Sequence, residues 1–173
     1  MTSRFKIAAL LIALALTGAL PAHGQQPTFQ DALLDHLAGR WLLKGTVAGK
    51  PTTHDVEAVW VMEHQYLRIH EVSRELNPKG KPAYEATIYV GWDAPNSQYA
   101  CVWLDIYGGI APTSLGTAKR IGDTIPFVFR DKTDAFHTTF AYHSADDSWD
   151  WKLDNVDKGA LLPFARVTLT RVK

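Results

Sequence analysis

Turn residues punctuate this chain at short intervals, and that spacing restricts its fold more than any other feature. The clusters are Gly49-Lys50-Pro51, Asn77-Pro78-Lys79-Gly80, Asp93-Ala94-Pro95-Asn96, Gly108-Gly109, Gly122-Asp123, Asp131-Lys132-Thr133-Asp134, Asp146-Asp147 and Asp157-Lys158-Gly159. Between them lie short runs rich in Val, Ile, Thr and aromatic residues, which suit a pleated surface. The pattern predicts about ten strands, near 40–48, 54–62, 64–73, 84–92, 98–107, 114–120, 124–130, 136–143, 148–154 and 162–171. Short connections make neighbours pair antiparallel, as an up-and-down meander. The Cys…Trp…Cys spacing of an immunoglobulin sandwich is absent. Pro126 has no N–H to give a ladder and predicts an edge or rim position for 124–130.

Two segments stand ahead of this pattern. Arg4 and Lys6 precede an apolar run from Ile7 to Leu20, and Pro21-Ala22-His23-Gly24 follows. A basic start, a short apolar stretch and small residues describe a secretory signal peptide, cleaved after Gly24. The run falls short of the roughly 20 residues a helix needs to span a bilayer, so no stable membrane insertion is expected from it. The expected product is exported, periplasmic or secreted, with a leader at 25–27 and a single barrel domain over 28–173. Cleavage removes two bases and no acid from a chain with Lys+Arg 18 and Asp+Glu 18, leaving it acidic by two charges. That balance argues against nucleic acid as a partner, since phosphate contacts need surplus base. Cys101 is the sole cysteine, which leaves no internal disulfide, and its apolar flanks make it a small buried hydrophobe.

Thr28, three residues before Asp31, suggests a capping box; Phe29, Leu33 and Leu37 share one helical face, and Gly39 ends the segment. One amphipathic helix is predicted over 29–38. Gly39-Arg40-Trp41 then opens the first strand. This Gly-x-Trp resembles the signature of lipocalins and their calycin relatives. In those folds the Trp closes the barrel floor under an Arg of the last strand. The resemblance therefore implies Trp41 and Arg171 (or Arg166) as the floor, a cation over an indole face being favourable. Trp60, Glu63-His64-Gln65-Tyr66-Leu67-Arg68, Gly91-Trp92-Asp93, Tyr99, Val102-Trp103-Leu104-Asp105, Gly116 and Leu169-Thr170-Arg171 follow in one order. That order, over about residues 33–172, is similar to an exported, calycin-like bacterial family classed as a domain of unknown function. The likeness implies a barrel with a cavity and carries no agreed chemistry. It departs at Glu63-His64-Gln65, where small, Gly-containing residues are expected.

A barrel of this size has room for one small ligand. Alternation sorts each strand into two faces. In 64–72, His64, Tyr66, Arg68, His70 and Val72 share one face, and Gln65, Leu67, Ile69 and Glu71 the other. In 99–107, Tyr99, Cys101, Trp103, Asp105 and Tyr107 oppose Ala100, Val102, Leu104 and Ile106. If the polar-aromatic stripes face inward, Tyr66, Arg68, His70, Tyr99, Trp103 and Asp105 form the ligand site. If they face solvent, they cover an aliphatic core. The area that Trp103, Tyr99 and Tyr107 bury when packed favours the first. Asp105, an acid among aromatics, is a catalytic candidate as general acid or base, and His70 is the second. Near Gly108-Gly109, Asp105 serves equally in a salt bridge or turn hydrogen bond. Arg68 is its expected partner, orienting a ligand carboxylate or simply satisfying the pair.

His64 and His70 are six apart, as are His137 and His143, which sets each pair roughly 20 Å apart on its strand. Neither pair can hold one ion, and no metal is expected. No cofactor is expected, with haem as an alternative: nitrobindin-like barrels hold haem through one His on a late strand, where His137 or His143 stands here. Trp149 and Trp151 alternate with Asp150 and Lys152 as barrel wall. Nucleophile-elbow, phosphate-loop and paired-Cys motifs are absent. The expected function is binding of a small, mainly apolar or aromatic molecule. Two alternatives stand beside it: a cofactor-free isomerase, cyclase or lyase using Asp105 with a His or Tyr, and a filled barrel with a structural or protein-interaction role. An open apolar cavity, an acid and base around one substrate position, and a filled interior distinguish the three.

Overall fold

The computed structural model describes residues 28–109, 114–130 and 135–173. The signal peptide and leader expected over 1–27 lie outside the described residues. A short helix, α1 (Ala32–Leu37), leads into β1 (Gly39–Val47) and β2 (Lys50–Val61). Then come β3 (Tyr66–Ser73), β4 (Glu85–Asp93), β5 (Gln98–Asp105), β6 (Leu115–Ala118) and β7 (Thr124–Arg130). β8 (Ala135–His143), β9 (Ser148–Asp157) and β10 (Ala160–Arg171) complete the chain. Each strand pairs antiparallel with the next, and β10 returns to β1, closing the barrel. The fold is mainly β, a ten-strand antiparallel barrel with one short helix, as the punctuation predicts. The breaker after β4 adds a single 3-10 turn, Ala94–Asn96.

The helix begins later than the capping-box reading places it. Asp31, not Thr28, is the N-cap: its Oδ1 accepts the Leu34 amide at 2.9 Å. A carboxylate at that point both satisfies an orphan N–H and meets the positive end of the helix. Leu33, Leu34 and Leu37 are buried against the barrel. Gly39, next in line, has φ +136, and a side chain there would collide with the Arg171 guanidinium. Only glycine permits that approach.

Inside the barrel the strands alternate, apart from the bulge in β10 between Pro163 and Ala165. Trp41 and Leu43, Val56 and Ala58, Leu67 and Ile69, Ile88 and Val90, Phe127 and Phe129, Trp149 and Trp151, and Val167 and Leu169 all point inward and are buried. Cys101 is fully buried among them, and burial pushes its thiol well up, so it is an inert hydrophobe. Pro126 is not at an edge, because closure leaves none. It lies beside the shortest seam instead: β6 pairs with β7 only at Val128 and Phe129, short of Pro126.

Between β2 and β3, Met62, Glu63 and His64 are consecutive non-glycine residues with φ of 50, 54 and 66. Each costs roughly 1–2 kcal/mol in that conformation, which explains why small, glycine-containing residues are expected there. Local contacts offset the cost. The His64 ring stacks on Trp60 at 3.9 Å, and its Nδ1 donates to the Phe29 carbonyl at 2.8 Å.

Candidate functional site

The two ends of the barrel are built differently. At the helix end, Trp41 donates from Nε1 to the Leu37 carbonyl at 2.8 Å, and the Arg171 guanidinium lies 4.1 Å above its ring. Arg171 also donates to the carbonyls of Ala38 and His36, at 3.0 and 2.8 Å, and pairs with Asp147. That bond holds the Asp147 carboxyl below the usual range. Trp60 donates to Asp35 at 2.9 Å, Tyr99 donates to Asp31, and Phe29 packs between Trp60, Trp92 and Tyr99. This floor is solid. Trp41 and Arg171 occupy the positions expected of them; Arg166, the other candidate, bonds Asp154 on the outer face.

The opposite end holds a cavity of about 560 Å³. Leu43, Phe129, Phe136, Trp151, Leu153 and Val167 form an apolar wall, and Phe164 reaches the rim where β10 bulges between Pro163 and Ala165. The facing wall is polar: Thr52, His54, Glu71, Glu75, Tyr84, Trp103 and Asp105. His54 and Glu71 are both buried, and their side chains bond through Nδ1 and Oε1. His54 Nε2 meets Thr52 Oγ1 at 2.7 Å, and that hydroxyl donates to Glu75 Oε2 at 3.0 Å. Burial pushes the Glu75 carboxyl up, but its own amide, the Thr52 hydroxyl and the Thr53 amide outweigh it and hold the group low. Trp103 donates to the Tyr84 hydroxyl at 3.0 Å; burial, then the nearby Glu71 carboxyl, push that phenol well up, so it stays a neutral donor.

These hydrogen bonds allow a proton inventory. The Thr52 hydroxyl gives its one proton to Glu75, so His54 must donate through Nε2. A further proton lies between Nδ1 and Glu71. Whichever side holds it, the set of His54, Glu71 and Glu75 carries one net negative charge. Both imidazole nitrogens are hydrogen-bonded.

The two stripes predicted for the cavity fare differently. Trp103 and Asp105 line it, and Asp105 Oδ1 accepts the Tyr107 amide at 2.9 Å, the turn bond foreseen for it. Tyr99 faces inward but belongs to the floor. Tyr66, Arg68 and His70 lie on the outer face: Arg68 approaches Glu57 at 3.5 Å, not Asp105, and His70 bonds Glu85 at 2.9 Å. The reason is register. Leu67 and Ile69 stand beside Val90 and Ile88 on β4, which stand beside Cys101 and Trp103 on β5. Neighbours across a ladder share a face, so the aliphatic stripe of β3 is the inner one. Aligning β3 against the plain Ala86, Ile88, Val90 face of β4 signals this in the sequence. His54, Glu71 and Tyr84 have no motif and went unseen. His137 and His143, the haem candidates, alternate with inward Phe136, Thr138 and Phe140 and face outward; His143 bonds Asp150 at 3.1 Å. Among the described residues no group of His, Cys, Asp and Glu is arranged to hold a metal.

No protein-family model matches the chain, and no curated protein matches it. The ten-strand barrel is compatible with a ligand-binding barrel.

Proposed function

We propose that this protein is an exported, calycin-like barrel that binds a small, mainly apolar or aromatic molecule in the mouth cavity. The observation that carries this reading is the cavity of about 560 Å³ with a continuous apolar wall. Volumes of roughly 300–1,000 Å³ are typical of small-molecule sites. A barrel with a purely structural role would fill that space with side chains, as the floor does. Apolar wall supplies most of the affinity, while His54, Glu71, Tyr84 and Asp105 set orientation, in place of Arg68 and His70. The reading requires no cofactor, nucleic acid or membrane.

The test is fluorescence of N-phenyl-naphthylamine, a neutral aromatic probe, together with native mass spectrometry of protein isolated from its own host. Bright, saturable binding and a copurifying small molecule are expected. A folded protein that binds no probe and carries no ligand overturns the reading. Export is tested separately: protein from the envelope should begin near Gln25, and soluble cytoplasmic protein with Met1–Gly24 intact would remove that part.

A further inference from the structure

We infer that the mouth cavity selects a cationic amphiphile, an amine at the rim on an apolar body. This rests on the ligand-binding reading and specifies its ligand class. The described lining residues include three carboxyl groups, Glu71, Glu75 and Asp105, and no Lys or Arg. Elsewhere on the barrel, arginine meets Asp55, Glu57, Asp123, Asp147 and Asp154. Among the described residues, no arginine or lysine meets the cavity acids. Glu71 and Glu75 share one imidazole, His54, bonded to the first and 4.0 Å from the second; Glu75 also accepts from Thr52 and the Thr53 amide, and Asp105 from the Tyr107 amide.

The hydrogen-bonded set already carries one net negative charge, and Asp105 adds a carboxyl with no basic partner among the described residues. Against an apolar wall such charge is poorly screened and its field is concentrated in the cleft. An ammonium head supplies the missing counter-charge with donors for several carboxyl oxygens. A carboxylate head would lose its hydration and face like charge, so the same groups reject it.

The experiment compares decylamine, decanol and decanoate as displacers of N-phenyl-naphthylamine, on the parent protein and on the E75Q/D105N variant. The amine should displace the probe at a concentration at least about tenfold below decanoate, with decanol between them. In the variant that gap should shrink to less than about threefold. Decanoate binding as well as the amine overturns the charge selection, as does a gap unchanged in the variant. If the probe binds and the acid wins, only this inference fails; if the probe does not bind, the ligand-binding reading fails with it. Should the double variant not fold, D105N alone serves, because its amide oxygen still accepts the Tyr107 amide.

Discussion

The floor and the mouth of this barrel are made by the same ten strands with the same alternation, yet they solve opposite problems. At the floor, large side chains fill the section, and the charge on Arg171 is matched by Asp147, two carbonyls and the Trp41 ring. At the mouth, space is left open, and among the described residues acids gather without arginine. Helix α1 accounts for the contrast. It brings Leu33, Leu34 and Leu37 to one end only, and the strands there place Trp41, Trp60 and Trp149 to receive it. Among the described residues the other end has no such plug, and it keeps its volume. Rigidity and vacancy are thus separated along one axis, which lets a site carry uncompensated charge while the fold is secured elsewhere.

That separation can be broken in order of size. Trp41→Ala should have the largest effect, a loss of about 3–5 kcal/mol, because it removes a fully buried aromatic that also bonds the helix. Trp103→Ala, at the edge of the cavity, should lose no more than about half of that while weakening the neutral probe. Urea unfolding of both decides it; equal losses would erase the distinction between the ends.

His54→Leu is next. It strands the buried Glu71 carboxyl and should cost about 3 kcal/mol, the mouth's one contribution to stability of floor-like size. Recovery of stability in the H54L/E71M double variant is the expected signature, because an apolar pair leaves nothing unpaired.

Arg171→Met should cost about 2 kcal/mol through lost charge-assisted bonds and the cation over the indole, with probe affinity unchanged. A shift in probe affinity would show that the floor communicates with the mouth.

The smallest effect is in acid. Arg171 holds the Asp147 carboxyl below its ordinary 3.8, and Arg74 does the same for Asp55. A carboxyl depressed in the folded state stabilises it above the ordinary value and loses that contribution as pH falls through the folded one. Stability should therefore decline below about pH 4, and Asp147→Asn should flatten the decline. An identical acid limb in that variant would remove Asp147 from the account.

Strand number, order and handedness of pairing were legible in the sequence because turn residues act locally: Gly122-Asp123 or Asp157-Lys158-Gly159 ends a strand whatever surrounds it. The floor was legible for a related reason, since Gly39-Arg40-Trp41 joins helix end, close approach and closing aromatic in one short stretch. The site was not. In β3 both faces can be buried or exposed by alternation alone, and Tyr66, Arg68 and His70 looked as suited to a cavity as Leu67, Ile69 and Glu71. Register against β4 settled that choice, and a one-residue shift would have reversed it. His54, Glu71 and Tyr84 come from three segments that meet only when the sheet curls shut, so no spacing along the chain could announce them. Local chemistry sets where strands begin and end; which side chains share an enclosed space is a property of closure, and only the tertiary structure decides it.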